Sequence, residues 1–491
     1  MHTERHVADT AGITGAVRGL FGRRQLFTEF DRVDEGNVVK AIEQIKAEHN
    51  LNVSEIEYLE RYLRGDQPIL KRIKEIRGDI LDNTVVNHAL EIKTFWTSYS
   101  LAEPIVYVSR KETKASTTAV NKLNDYMYLA GKDAVDKSLF DDFTTCGVAY
   151  RFVYPNEEYT GNSDKAPFIT CSMKPNSTFV VYKHSALREN KPVFAGSIAK
   201  KDGKTVYDIY TPELHMTVVD DKVVSSEANA IGMIPIIEYT FNELRMGSFE
   251  PVLSMMDSRN VLESNRVEAV EQNVQHLTWF NNVTLDAADL ERLNQQSRAF
   301  IFTKSVDGQA PADIKTIMIE LMQADQQVLA NDLYRNILTI TGLPSVGDGN
   351  TSDSSNNGST LVRNGWEHAE GRAKDTATLF EESDKKFLAI VISICQKLAG
   401  LKLSLTDVKG KFTRRNYSDV QSKMTVLTTA LGCDKIHPKI AYQTAGLFPD
   451  PEEAYSMGMA WMKSQQKTEN DKTGGESSDS ADEARGNESP A

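Results

Sequence analysis

Residues Gly347–Ser359, GDGNTSDSSNNGS, are thirteen small polar residues that separate two long helical patterns. Upstream, apolar residues recur at helical spacing until Gly342 and Pro344 end the pattern. Downstream, a second pattern runs from Leu361 to Ala399. A loop of this composition has no apolar side chain with which to pack. Between two patterned helices it is either a solvent-exposed linker with no role or a mobile functional element, and we favour the second.

The chain before this loop alternates long helical patterns with a short insert. A helical pattern follows Ser248 and continues to about Phe280, and another covers Met318–Thr341. Asn, Glu and Arg residues leave the first of these helices only a thin apolar stripe, so it cannot bury much surface alone. We therefore expect neighbours on its sides and water on one face. The stripe includes three valines, Val267, Val270 and Val274.

The N-terminal half combines helices with a β-rich region. Helical patterns begin near Val38, and Ser54 with Glu57 forms a capping box that predicts a helix start. Another helix is predicted from Val85 to about Tyr99. From Pro104 to Tyr239, short β-branched and aromatic runs are separated by polar turns, which predicts mostly antiparallel hairpins.

Composition limits the function classes. The formal net charge is −13, from 56 basic and 69 acidic residues, which argues against tight sequence-independent DNA binding. The N-terminus does not read as a signal peptide, and the longest apolar run, Phe387–Cys395, is too short to span a bilayer. We therefore expect that the protein is made in a cytoplasm and does not associate with a membrane. The four cysteines, none in CxxC spacing, predict buried thiols in a reducing compartment: Cys146, Cys171, Cys395 and Cys433.

Two motifs resemble ligand-binding loops and fail on spacing. Gly203-Lys204-Thr205 ends like a phosphate-binding loop, but Ile198 stands where the first glycine is required, so a hairpin turn is favoured. The polar loop begins like a calcium loop, but Asp353 and Ser359 stand where glycine and glutamate are required.

Two further candidates for catalysis or metal binding have better structural explanations. Glu367-His368 has no second histidine at metal-binding spacing, so a solvated helix face is favoured. Asp220-Asp221 could be a nuclease metal pair, but its position between two valine pairs favours a turn. We predict no catalytic residues, no metal site and no cofactor, and therefore no enzyme.

Several stretches occur in an order that resembles the portal proteins of tailed bacteriophages, particularly those of long-tailed phages of Gram-positive hosts. The resemblance covers most of residues 30–465. It is carried by these stretches: YLRGDQPIL (Tyr62–Leu70), NTVVNHALEIK (Asn83–Lys93), GVAY (Gly147–Tyr150), GMIPIIEY (Gly232–Tyr239), RMGSFEPV (Arg245–Val252), KFTRRN (Lys411–Asn416) and DPEEA (Asp450–Ala454).

The resemblance implies a mainly helical α+β fold with the parts of a portal protein: a β-rich wing, a two-helix stem, an α/β clip, a long wing helix and a helical crown. In this sequence the parts are a flexible arm at 1–30, the wing at 31–247, stem helices at 248–280 and 318–344, the clip at 281–317, a tunnel loop at 345–360, the long wing helix at 361–400, the crown at 401–464 and a disordered acidic tail at 465–491.

The resemblance also implies a function. Such proteins form a ring, usually of twelve copies, at one capsid vertex. Double-stranded DNA is packaged through the ring by the terminase large subunit and later ejected. The ring docks a head completion or neck adaptor protein and nucleates procapsid assembly with the major capsid and scaffolding proteins. The chain would then reside in the virion, and in the host cytoplasm during assembly.

Within that frame, three groups of residues are candidate sites. The tunnel loop would face DNA, the stem valines would pack between copies, and the clip would contact the packaging motor and the neck. The tunnel-loop residues are Asp348, Asn350, Asp353, Asn356 and Asn357, and the clip residues are Phe300, Phe302, Lys304 and Asp307. The alternatives are a packaging-associated nuclease or translocase component and a non-viral oligomeric scaffold.

Overall fold

The computed structural model describes residues 22–74, 81–101, 103–111, 113–161, 164–185, 191–275, 277–281, 313–317, 323–344, 365–412, 420–448 and 451–475. The chain divides into two compact units. The first comprises residues 1–346 and 365–412, and the second comprises residues 347–364 and 413–491.

The fold is a mixed α+β fold in which about half of the described residues are helical, so the predicted α+β class is confirmed. The helices are α1 (Val38–Leu63), α2 (His88–Ser100), α3 (Lys114–Leu129), α4 (Lys132–Cys146), α5 (Leu253–Gln275), α6 (Gln323–Thr341), α7 (Trp366–Ala399), α8 (Val420–Leu431), α9 (Pro438–Ala445) and α10 (Pro451–Gly475). The strands are β1 (Leu26–Thr28), β2 (Val106–Ser109), β3 (Val148–Pro155), β4 (Phe168–Met173), β5 (Thr178–Lys183), β6 (Pro192–Lys201), β7 (Lys204–Tyr210), β8 (Leu214–Val219), β9 (Lys222–Ala228), β10 (Ile236–Thr240), β11 (Leu277–Asn281), β12 (Asp313–Ile317) and β13 (Val408–Lys411).

A six-stranded sheet forms one layer of the first unit, in the order β1-β5-β6-β7-β8-β9. Both predicted turns are confirmed as tight hairpins, since Asp202-Gly203 joins β6 to β7 and Asp220-Asp221 joins β8 to β9, all with positive φ. One face of the sheet packs on α1, where Ile42 and Ile45 meet Phe179 and Phe194 in a buried cluster.

The arm predicted at residues 1–30 is ordered over its last residues, which corrects that boundary. Strand β1 pairs in parallel with β5, with Leu26 opposite Val181. Arg23 is buried and forms ion pairs with Glu55 and Glu250. A strand partner and a buried charge fix this segment, whereas its sequence shows no periodicity. Residues 1–21 lie outside the described part of the chain.

The region predicted to be β-rich contains two helices, α3 and α4, which the sequence analysis missed. Thr113 caps α3 by accepting a hydrogen bond from the Ser116 amide. Gly131 and Gly147 bound α4 and both adopt left-handed backbone conformations. The strand-like runs on either side hid these helical signals. Strand β2 pairs with the distant β13 instead of forming a local hairpin.

A second core surrounds α7, which is 34 residues long and spans about 51 Å at 1.5 Å per residue. Its apolar stripe contacts the three-stranded sheet β10-β3-β4 and the helices α2 and α4, and Phe380 and Phe387 are fully buried. Leu401, Leu403 and Val408 belong to the same core. Residues 401–412 therefore belong to the first unit, although the sequence analysis assigned them to the crown.

Several predicted helix boundaries differ from the structure. Helix α1 is continuous, and Ser54 lies inside it with its hydroxyl donating to the Asn50 carbonyl, so the capping box is not a start. Helix α2 begins at His88 instead of Val85. Helix α5 ends at Gln275, and Leu277–Asn281 form strand β11, because Thr278, Trp279 and Phe280 favour extended structure and pair with β12.

The second unit is helical over its described residues. Leu427, Ala441 and Ala445 form its small buried core. Helix α10 reaches Gly475 and so enters the segment predicted to be disordered from residue 465, consistent with the helix-favouring Gln, Lys and Glu residues there. Cys171 and Cys433 are exposed, which corrects the expectation of four buried thiols, whereas Cys146 and Cys395 are buried.

Candidate functional site

Only part of the candidate site lies in the described chain. Val267, Val270 and Val274 all lie on α5, although the side chain of Val274 is outside the description. The polar-loop residues Asp348, Asn350, Asp353, Asn356 and Asn357 lie outside the described residues, as do the insert residues Phe300, Phe302, Lys304 and Asp307. The structure therefore describes the residues that flank the polar loop, up to Pro344 and from Gly365.

Helices α5 and α6 pack as a pair held largely by arginine. The Arg259 guanidinium donates to the Ala330 carbonyl and lies 5.6 Å from the centre of the Tyr334 ring. Arg266 donates to the Gln327 side-chain oxygen at 3.0 Å, and Glu263 forms ion pairs with both arginines. This polar seam joins the two helices with little apolar burial.

Apolar side chains of both helices remain at the surface of the single chain. Val267 and Val270 on α5 are 46% and 43% exposed, and Val328 and Leu329 on α6 are 61% and 52% exposed. Single exposed apolar residues are common, but several on one helix pair indicate a surface for another protein chain.

Part of the polar surface of α5 is covered within the subunit and does not face water. Asn260, Ser264 and Glu268 are buried, and each accepts a hydrogen bond from the backbone of residues 81–87. The sequence analysis missed this contact because its partners are 174–186 positions apart in the chain.

The end of α6, where the polar loop begins, has partners for all four of its last carbonyl groups. Gly342 has a φ of +74°, and the amides of Gly342 and Leu343 donate to the Thr339 and Leu338 carbonyls. The Arg372 guanidinium donates to the Ile340 carbonyl at 2.6 Å. The Trp96 indole donates to the Thr341 carbonyl at 3.1 Å. Helices α2 and α7 thus fix the point at which the loop leaves α6.

The described residues that flank the polar loop, Pro344 and Gly365, lie side by side. A Cβ atom built on Gly365 would lie 3.8 Å from the Pro344 Cα atom. A cavity of about 490 Å³ lies beside the end of α6 and is lined by Trp96, Phe241, Arg372 and Thr376, among others.

The RMGSFEPV stretch places α5 by close backbone contacts. A Cβ on Gly247 would lie 2.3 Å from the Thr145 carbonyl oxygen, and one on Gly147 would lie 2.1 Å from that of Arg245. Glu250 accepts from the Gly22 and Gly247 amides and from Arg23, while burial raises its pKa. Only glycine fits at the two contacts, so the start of α5 is held tightly.

Arg245, in the same stretch, is bound by a buried carboxylate. Its guanidinium donates two hydrogen bonds to Glu238, of 2.6 and 2.8 Å. Tyr150 and Tyr182 donate to the same carboxylate. Burial opposes ionisation of Glu238, but the Arg245 charge and these hydrogen bonds outweigh it, so the pKa of Glu238 lies below its ordinary value. The arrangement is structural, because every group has a partner.

Metal-binding, phosphate-binding and membrane-spanning features can be checked in the described residues. Among them, no group of three or more His, Cys, Asp or Glu residues is placed to hold a metal ion. Lys204, from the rejected phosphate loop, lies at the exposed end of the β6–β7 hairpin. No helix within the described ranges is long and apolar enough to cross a bilayer.

Comparison with known proteins identifies relatives of this chain. A search of curated proteins found no match. Two similar solved structures are "Neck of empty GTA particle computed with C6 symmetry" and "Neck of native GTA particle computed with C12 symmetry". Each is 10% identical and covers 74% of this chain and 90% of the other, with TM-scores of 0.42 and 0.40. These likenesses are too weak to support an argument.

The family comparison is decisive. The family described as "Phage portal protein, SPP1 Gp6-like" matches residues 42–472, which cover most of both compact units, the α5–α6 pair and the whole polar loop. That span contains every stretch on which the resemblance to portal proteins rests. The chain therefore belongs to the SPP1 Gp6-like family of phage portal proteins.

Proposed function

We propose that this chain forms a ring, most simply of twelve copies, that serves as the DNA conduit at one capsid vertex. Terminase drives double-stranded DNA inward through the ring, and the same channel later releases it. The family match over residues 42–472 carries the proposal. The ring also docks a neck adaptor through the insert around Phe300–Asp307 and nucleates capsid assembly. The protein itself has no catalytic part.

The α5–α6 pair supports assembly into a ring. Val267 and Val270 expose apolar surface that a second copy would bury. A ring is built from heterologous contacts, so this surface meets a different patch on the next copy. The pair corresponds to the stem of the proposed portal.

Charge supports passage of DNA without retention. Each chain carries a formal charge of −13, so twelve copies carry about −156 before ions bind. A predominantly acidic ring repels phosphate, and DNA slides past acidic surfaces instead of forming salt-dependent contacts. The polar loop, with Asp348 and Asp353, would touch the duplex weakly and without sequence preference.

Substitution at the exposed valine surface tests ring formation. Val270→Asp places a charge where a second copy would exclude water, which is costly without a partner. We expect soluble single subunits instead of rings of about 658 kDa, twelve times the 54.8-kDa chain. Light scattering after size-exclusion chromatography measures the mass. The control is Val224→Asp on the exposed edge strand β9, which should leave rings intact, and intact rings from Val270→Asp would contradict the assignment.

Adding positive charge to the polar loop tests whether this loop faces DNA. Changing Asn350, Asp353, Asn356 and Asn357 to lysine adds phosphate-binding charges to every copy. We expect rings of normal mass that stall in DNA packaging or ejection. The matched control changes the same four positions to serine and should package normally. Normal packaging by the lysine variant would exclude contact between this loop and DNA.

A further inference from the structure

Residues 81–87, which we call the strap, run in extended form along one face of α5 before α2 begins. Three alternate backbone amides of the strap donate to three side chains of α5. Val86 donates to Asn260 Oδ1 at 2.8 Å, Thr84 to Ser264 Oγ at 3.0 Å, and Asp82 to Glu268 Oε1 at 3.2 Å. The strap therefore runs antiparallel to the helix, in hydrogen-bond register.

The register works because two repeats nearly coincide. Residues four apart on a helix are separated by about 6 Å along its axis. Amides two apart on an extended chain are separated by about 6.6 Å and point the same way. Acceptors at 260, 264 and 268 can therefore meet amides at 86, 84 and 82 without distortion.

Every side chain of this ladder is buried, and Asn260 and Glu268 each have further polar partners. Asn260 and Ser264 are fully buried, and Asn260 also donates to Gln67 Oε1 at 2.6 Å. Glu268 forms ion pairs with Lys74 and with Arg72, the latter at 3.5 Å. Exposing or breaking these contacts would leave buried polar groups without partners, which is costly.

The other sources of stability for α5 are weak. Its apolar residues past Met256 are mostly at the surface, and its seam with α6 consists mainly of arginine contacts. An isolated helix of 23 residues with several Asn and Ser residues is marginal in water. The strap supplies polar contacts within the subunit that the sequence analysis did not foresee.

We propose that the strap keeps α5 folded and oriented within the single subunit, before any second copy is present. It covers one face of α5, the α6 seam covers another, and the face with Val267 and Val270 is the apolar surface left for a second copy. The identity of that partner rests on the proposed function, whereas the ordering of α5 does not. Rings would then assemble by docking preformed surfaces.

Alanine substitution separates the strap from intrinsic helix propensity. In the variant Asn260→Ala, Ser264→Ala, Glu268→Ala, each change raises helix propensity but removes a ladder acceptor. Hydrogen exchange of the full-length chain, kept as single subunits by Val270→Asp or by dilution, is followed in peptides covering 253–275 and 81–90. We expect exchange to be about tenfold faster or more in both peptides, because the opening free energy of α5 falls.

The matched control changes three exposed polar residues of the same helix to alanine: Ser254, Ser258 and Glu271. This control raises helix propensity equally and should leave exchange unchanged or slower. A second control, Glu268→Gln, keeps the acceptor for the Asp82 amide and should show a smaller effect than Glu268→Ala. If the ladder variant exchanges like the first control, the strap does not order α5 and the inference is overturned.

The outcome is independent of ring formation. A wild-type chain that forms no ring would contradict the proposed function while the exchange of α5 could still be measured. Rings of normal mass with α5 unprotected in single subunits would overturn the strap inference alone.

Discussion

The core around α7 and the helix α5 both bury charged or polar side chains, but they do so differently. In the α7 core, Arg151 meets Asp136 and Asp384, and Lys132 meets Asp136, all buried and summing to zero charge. Aromatic rings surround the group, with the Arg151 guanidinium 4.2 Å from the Phe387 ring centre. On α5 the buried polar side chains bind backbone amides of the strap, while valines remain outside.

The difference separates two structural roles. The Arg151 cluster joins α4, β3 and α7. Its charges are paired and the apolar residues around it are buried, all within the subunit. On helix α5, the polar side chains bound by the strap have hydrogen-bond partners within the subunit, whereas the exposed valines have no apolar surface of the described chain packed over them. A region such as α5 is suited to assembly, because the surface that it leaves exposed is apolar and favours contact with a partner.

The largest effect is expected from opening the Arg151 cluster. Arg151→Met leaves Asp136 and Asp384 buried with only Lys132, which is an uncompensated charge. We expect the free energy of unfolding to fall by about 3–5 kcal/mol. Urea denaturation followed by circular dichroism measures it.

A compensating change tests the cause of that effect. Asp384→Asn in the Arg151→Met background restores neutrality and keeps an acceptor for the Tyr107 hydroxyl, which donates to Asp384 at 2.7 Å. The double variant should regain part of the lost stability. If the double variant is no more stable than Arg151→Met, the loss of stability comes from packing and not from the unpaired charge.

A pH-dependent effect is expected at Asp257, which lies near the start of α5. Burial raises the pKa of Asp257 to about 6, although a 2.9 Å hydrogen bond from the Tyr62 hydroxyl opposes the shift. The folded protein therefore binds this proton more tightly than the unfolded chain, and the stability contributed by the group falls as pH rises from about 4 to about 6.

Asp257→Asn removes that dependence. At pH 8 the variant should be more stable than the parent by on the order of 1–3 kcal/mol, and near pH 4 the two should be alike. Thermal unfolding at both pH values measures the difference. Equal destabilisation at both pH values would show that ionisation of Asp257 does not set its contribution to stability.

The smallest effect is expected where the polar loop leaves α6. Gly342 has a φ of +74°, and a Cβ there would lie 2.6 Å from Arg372 Cδ. Gly342→Ala should therefore cost about 1–2 kcal/mol and loosen the end of α6. Thermal unfolding and hydrogen exchange across residues 335–343 measure these effects.

Gly400→Ala is the matched control for that substitution. Its φ is +63°, but a Cβ there would meet no heavy atom within 4 Å, so only the backbone cost applies. The difference between the two variants isolates the contact with Arg372. Equal destabilisation would show that Arg372 moves aside without cost.

Local sequence signals predicted the elements that depend on local physics. The apolar stripe of α7 and the glycine that ends it, Gly400, predicted the bounds of this helix to within a few residues. Such a stripe can be recognised locally because its apolar residues recur at helical spacing within the segment itself. The hairpins at Asp202-Gly203 and Asp220-Asp221 followed from residues that tolerate positive φ. The resemblance to portal proteins was likewise confirmed by the family match.

Local sequence signals gave wrong predictions where tertiary contacts compete with them. Ser54 and Glu57 match a helix start, yet α1 runs through them because Ile45, Ile56 and Leu59 are buried on both sides of the motif. Val85 and Val86 fit a helical pattern, yet they lie in the strap, where extended geometry satisfies hydrogen bonds to α5. In both places a distant partner outweighed the local preference.

The sequence by itself determined the long helices, the hairpins, the acidic charge and the polar loop bounded by Gly342 with Pro344 on one side. The tertiary structure alone decided which face of α5 is covered, how the Arg151 cluster closes, and that Trp96 and Arg372 hold the base of the loop. The physical reason is distance along the chain. Periodicity and turn chemistry act between near neighbours, whereas the Thr84–Ser264 hydrogen bond joins residues 180 positions apart and exists only once the chain has folded.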